Sequence, residues 1–168
     1  MKTKNVYILP IDKDKIKEIV TREAPGHRKY KVDNKIYDES NAIDFLCEEG
    51  TEVKATLDGK VFDVFTGVTK RYSGYDTPSE NQLPREEWYG NYVVIEHENG
   101  EYLFYGHLKS ILVKKGDIVK KGQVIGYSGN VGWSIKPHLH YMVFKFLESP
   151  PKKGNSYITL EVVWEEHY

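Results

Sequence analysis

The tripeptide His138-Leu139-His140, preceded by Pro137, has the clearest chemical potential in this sequence. On a β-strand residues i and i+2 project from one face, so both imidazoles would enter one site while Leu139 packs behind it. Spacing alone also fits two half-exposed surface histidines. Asp44 lies in Asn41-Ala42-Ile43-Asp44-Phe45. A carboxylate in so apolar a strand must be paired, hydrogen-bonded or metal-bound, because burying it bare is expensive. His107, in Tyr105-Gly106-His107-Leu108, ends another candidate strand beside a glycine, and by itself it reads as a structural histidine rather than a catalytic one. Aspartate and histidine together suit Zn²⁺ with one coordination position left open for water. A metal so held brings the pKa of its water to about 7 and polarises a carbonyl, while a further imidazole on the same face moves protons. That is the machinery of amide hydrolysis.

The other candidates carry less. His97, between Glu96 and Glu98, is expected at the solvated surface, and His167 in the tail gives no signal. Cys47, three residues after Asp44, would point to the opposite face of a strand and pack as a small hydrophobe.

Strands must position these groups. Ala42–Leu46, Glu52–Ala55, Lys60–Phe65, Tyr92–His97, Tyr102–Tyr105 and Leu139–Phe146 are each β-branched, aromatic or alternating. Gly50, Asp58-Gly59, Asn99-Gly100 and Gly116 separate them, and Asn99-Gly100 between two alternating runs signals a hairpin. A weaker strand opens the chain at 5–9, and another ends it near Ile158–Trp164. Residues 28–38 read as a hairpin turning at Asp33-Asn34. Residues 12–22 are the one helix candidate, with Asp12 as cap and Ile16, Ile19 and Val20 at i, i+3, i+4. The polar stretch 66–90 interrupts the strands. With Tyr72, Tyr75, Trp88 and Tyr89 it would serve as a groove wall or as a plain surface loop.

Composition narrows the class. A chain of 168 residues can bury a real core unaided, and thirteen Tyr with fourteen Gly favour a β-rich fold with many turns. With 24 Lys+Arg against 25 Asp+Glu, no bulk field points to nucleic acid or an anionic membrane. One Cys excludes an intrachain disulfide. No apolar run approaches the roughly 18 residues of a membrane span. The start Met1–Pro10 does not read as a secretory signal. The sequence as written is therefore expected to be cytoplasmic, or to act in the cell envelope if a leader has been trimmed.

Several segments, in order, resemble the lysostaphin-type (LytM-like) zinc endopeptidases, which cleave peptide cross-links in bacterial cell walls. They are Asn41–Phe45 with Glu49–Val53 and Asp58–Val61, then Gly90–His97, Tyr105–Leu108, the echo Val-Lys-Lys-Gly at 113–116 and 119–122, Gly126–Gly132 and Pro137–His140. The resemblance runs from about Asn41 to Phe146. It implies a mainly β fold, an antiparallel sheet of barrel-sandwich character with the active groove on one face, to which the sequence adds a short N-terminal helix. The expected organisation is an N-terminal extension over 1–40, a peptidase-like domain over 41–147 with 66–90 inserted, and a C-terminal extension over 148–168.

Matched residue by residue, the resemblance makes Asp44 and His140 zinc ligands and His138 and His107 the catalytic histidines. The family's third ligand is a His usually four residues before the Asp, where this chain has Ser40, and a hydroxyl is a poor zinc ligand. His27 is the upstream candidate to replace it. If 28–38 is an inserted hairpin, its ends meet, and His27 returns beside Asp44 across the hairpin base. The alternative is a loop histidine and a lost third ligand. The implied function is zinc-dependent hydrolysis of a peptide or peptidoglycan-like substrate. The alternative is an inactive pseudo-peptidase that binds a peptide, glycan or protein. The lysine–glycine echo also resembles biotinyl and lipoyl carriers, but the methionine-flanked lysine they need is absent.

Overall fold

The computed structural model describes residues 1–24, 26–72 and 85–165. Its first strands are β1 (Lys2–Tyr7), β2 (Glu18–Val20), β3 (Lys29–Val32), β4 (Lys35–Asp38), β5 (Ile43–Leu46) and β6 (Glu52–Lys54). Then come β7 (Gly59–Phe65), β8 (Arg71–Tyr72), a one-turn helix α1 (Arg85–Trp88), β9 (Asn91–Glu96) and β10 (Tyr102–Ile111). The chain finishes with β11 (Ile118–Val119), β12 (Val124–Ser128), β13 (Gly132–Trp133), β14 (His138–Phe146) and β15 (Tyr157–Trp164).

The architecture is the mainly β one expected, and β14 is its hub. One edge of β14 pairs antiparallel with β10, and the other is shared, His138–Tyr141 with β5 and Val143–Phe146 with β15. The sheet continues from β10 through β9 and β7 to β11, and from β15 through β4 to β3. Alternation along β14 splits its side chains between two layers. Leu139, Tyr141 and Val143 enter the main core with Phe45, Leu103 and Tyr105. Met142 and Phe144 join a second aromatic cluster on the opposite face, the face that also carries His138 and His140.

Local turn chemistry sets the hairpins. Asp33 and Asn34 both take positive φ (48° and 66°), which suits the tight turn joining β3 to β4. Asn99 and Gly100 do the same between β9 and β10 (63° and 67°).

Two expectations need correction. No helix spans 12–22: a single 3₁₀ turn at Lys13–Lys15 gives way to β2, which pairs antiparallel with β5. Asp12 makes no capping bond and pairs with Lys54, while Ile19 is left half exposed. The open edge of β5 gives Glu18–Val20 a full set of ladder partners, and tertiary pairing outweighs a short helical pattern rich in β-branched residues. His97 is buried rather than solvated. β1 lies across it because the buried Glu101 carboxylate accepts the Lys4 and Asn5 amides and the Tyr7 hydroxyl, which sets the Tyr7 ring edge-on to His97. Cys47 is buried, as expected.

Candidate active site

His27, Asp44, His107, His138 and His140 meet around one cavity of about 350 Å³. Strand register brings three of them together. His140 faces Asp44 across the β14–β5 pair and Gly106 across the β14–β10 pair. His138 lies one same-face position away, with Leu139 fully buried behind. A side chain at position 106 would strike the Phe104 ring at 2.7 Å, so glycine keeps the rings beside His140 closely packed.

His107 arrives through an irregularity. The β9–β10 register shifts between Tyr105 and Leu108, and His107 takes φ +61°, a conformation costly for a residue with a Cβ. The distortion turns the ring inward, 4.6 Å from that of His138.

His27 reaches the cavity at the base of the β3–β4 hairpin. Lys29 pairs with Asp38, and the Glu39 amide donates to the Arg28 carbonyl. One step further in that register, His27 stands opposite Ser40. Its Nδ1 lies 2.5 Å from the Thr21 carbonyl, which can only accept, so Nδ1 carries the hydrogen. In the neutral imidazole Nε2 then carries the lone pair. It is buried without a hydrogen bond, although Asp44 Oδ1 lies 3.2 Å away.

The donor atoms of His27, Asp44 and His140 lie within 4.8 Å of one another. His140 Nδ1 is 3.1 Å from Asp44 Oδ1, and its Nε2 is 3.2 Å from Glu39 Oε1. Glu39, almost fully buried, accepts the Tyr89 hydroxyl with its other oxygen. The sequence reading missed Glu39. It adjoins Ser40 within a run of polar residues, and only the hairpin turns it inward. A carboxylate behind a histidine is the arrangement that orients a metal-binding imidazole. Two nitrogen donors and one oxygen donor, one nitrogen being an orphaned buried lone pair, fit a three-ligand metal centre of catalytic type.

Electrostatics separates the histidines. Burial would raise the Asp44 carboxyl, but the imidazoles of His140 and His138 hold it well below the usual carboxylate range. Burial would lower His140, yet hydrogen bonds with Asp44 and Glu39 outweigh it and push it up to about 9. His138 is lowered by burial against the pull of Asp44, whose Oδ1 is 3.8 Å from its Nε2. His107 falls further, through burial and the neighbouring His138 and His140. The Nδ1 atoms of His138 and His107 donate to the carbonyls of Lys136 and Val131, both at 2.7 Å. Each therefore keeps its Nε2 lone pair for the cavity. Trp88 and Tyr89 line the cavity as the wall reading expected, whereas Tyr72 pairs in a two-stranded sheet with β13. Tyr75 and His167 lie outside the described residues.

The sequence profile of peptidase family M23 matches residues 38–155. The peptidoglycan DD-endopeptidase ShyA of Vibrio cholerae serotype O1 is 43% identical over 101 residues, 60% of this chain and 19% of ShyA. A zinc-containing peptidase from Vibrio cholerae superposes with a TM-score of 0.58 at 32% identity, covering 83% of this chain and 36% of that one. The catalytic domain of lysostaphin from Staphylococcus simulans gives 0.50 at 27% identity, covering 75% and 78%. The chain spans between 19% and 38% of the length of the first curated relatives it matches.

Proposed function

The chain belongs to peptidase family M23, and on that premise we propose that it is a zinc-dependent endopeptidase acting on peptide bonds of peptidoglycan. The substrate class follows that of its relatives, peptidoglycan DD-endopeptidases among them. One observation carries the reading: the buried, unpartnered His27 Nε2 lies beside Asp44 Oδ1, next to His140 Nδ1.

His27 Nε2, Asp44 Oδ1 and His140 Nδ1 would hold the ion. When bound, zinc supplies a Lewis acid that polarises the scissile carbonyl and allows water to attack near neutral pH. The remaining steps belong to the chain. His138 Nε2 takes the proton of the attacking water, because Asp44 favours the resulting imidazolium against burial. With Nδ1–H tied to the Lys136 carbonyl, that proton stays at Nε2, facing the cavity, and passes to the leaving amine nitrogen. His107 stays neutral, and its Nε2 accepts a hydrogen bond that orients the water between the two rings. Glu39 holds His140 Nε2–H, which keeps Nδ1 turned to the ion.

The test is metal content after stripping, reloading with zinc and dialysis, alongside mass spectrometry of digested muropeptides. Wild type is expected to keep about one zinc per chain and to release peptide fragments, and His27→Ala to do neither. Equal zinc retention by both proteins would remove His27 from the site, and intact muropeptides with zinc bound would overturn the substrate class.

A further inference from the structure

His107 and His138 both take their support from one segment, 129–137, which runs from β12 through β13 to β14. Val131 lends its carbonyl to His107 Nδ1, and Lys136 lends its own to His138 Nδ1. A single acceptor fixes the tautomer of an imidazole but leaves the ring room to swing, because the χ2 torsion of histidine is broad. His138 has a second partner. Ser134 is 1% exposed, and its Oγ lies 3.1 Å from His138 Nδ1. Nδ1 carries the hydrogen, so Oγ accepts from it and keeps its own hydrogen to donate. That hydrogen goes to Asn130 Oδ1, at 2.6 Å the shortest of its contacts, ahead of the Lys136 carbonyl at 2.9 Å.

We propose that the Ser134 hydroxyl, clasped to Asn130, is a positioning group for the general base: it fixes the angle of the His138 ring and the spacing of the two carbonyls that hold both histidines. The inference rests on the endopeptidase reading and adds to it the device that aims its bases. Val131, which holds His107, lies inside the clasp, and Lys136, which holds His138, lies just beyond it. Breaking the clasp therefore loosens two rings that stand 4.6 Å apart.

The backbone of this segment is braced from outside. The Gly132 and Ser134 amides donate to the Lys70 and Tyr72 carbonyls, and Arg71 Nη1 donates to the Ile135 carbonyl at 3.1 Å. Gly132 takes φ +77°, and a Cβ there would stand 2.3 Å from the Gly90 amide nitrogen, so the turn seats directly on the stretch that follows Tyr89. With the main chain anchored on these sides, loss of one hydroxyl changes the aim of the rings and leaves the fold in place. Among the described residues neither Ser134 nor Asn130 bonds through its side chain to His27, Asp44 or His140.

Ser134→Ala, Asn130→Ala and the double variant, each as the zinc-loaded full chain, test this. Zinc content and circular dichroism should match wild type. With muropeptides, Ser134→Ala is expected to lower kcat about 10–100-fold at unchanged KM. Asn130→Ala should lose a similar factor, and the double variant no more than the larger single loss, because both changes remove one device. In NMR spectra of ¹⁵N-histidine-labelled protein, the His138 Nδ1–H resonance should exchange with water about tenfold faster in Ser134→Ala than in wild type. Unchanged kcat and exchange overturn the proposal, as does a raised KM at full kcat, loss of zinc, or multiplied losses in the double variant. Faster exchange in Ser134→Ala, where wild type itself cleaves no muropeptide, supports the clasp and overturns the endopeptidase reading instead.

Discussion

Substituting Glu39→Gln isolates the charge behind His140. The amide is isosteric, and its oxygen can still accept from His140 Nε2–H while its nitrogen donates to the Tyr89 oxygen. Packing and hydrogen-bond count are thus kept, and only the negative charge is lost. Removing such a partner weakens metal affinity by about 10–100-fold, and about tenfold is expected where the hydrogen bond survives. A second effect opposes this one. His140 stands at about 9 in the metal-free protein, partly because of Glu39. At pH 7 zinc must therefore displace a proton present in all but about one molecule in a hundred. If losing the charge lowers His140 by about one pKa unit, the competition eases about tenfold at pH 7 and not at all above pH 9. The net deficit is then small near neutrality and grows to about tenfold at roughly pH 9.5. Chelator-buffered zinc titrations of wild type and Glu39→Gln across this range measure it directly. A deficit that is constant with pH, or equal affinities at about pH 9.5, would refute the claim that Glu39 acts through His140.

The same geometry yields further expectations. Zinc binding at pH 7 should release about one proton per ion, from His140 Nδ1, as calorimetry in buffers of different ionisation enthalpy would report; no release would mean that His140 is already neutral. In the metal-free protein the raised His140 stabilises the fold below the unfolded value of about 6.5, and that contribution disappears as pH rises through about 9. Urea midpoints of wild type and His140→Gln should accordingly converge at high pH. His138→Ala should abolish hydrolysis while zinc content and circular dichroism stay unchanged, because the side chain faces the cavity; retained turnover would move the general base elsewhere. Leu139→Ala, one residue on, removes a fully buried core side chain and should cost about 2–5 kcal/mol in urea denaturation. A cost below about 1 kcal/mol would contradict the assignment of that face to the core.

Reading the sequence forward succeeds where the physics is local. His138 and His140 share a face because strand geometry has a period of two, and Leu139 is buried for the same reason. The two hairpins follow from residues that tolerate positive φ. The 12–22 segment fails because its spacing suits a helix while the free edge of β5, far along the chain, supplies better backbone partners. His97 fails because Tyr7, ninety residues away in the chain, covers it.

The candidate site divides along the same line. Residue type and spacing singled out Asp44, His138 and His140, whereas the role of His107 and the framing of His27 as a substitute for the histidine absent at position 40 came from the family resemblance. Only the folded chain brought the His27 lone pair to Asp44, set Glu39 behind His140, forced His107 into its left-handed turn and gathered aromatic rings from six strands into a second cavity. The physical reason is range. Strand alternation and turn conformation are decided by a residue and its neighbours, whereas the protonation, ligand set and partners of a buried group are decided by whatever the rest of the fold presses against it.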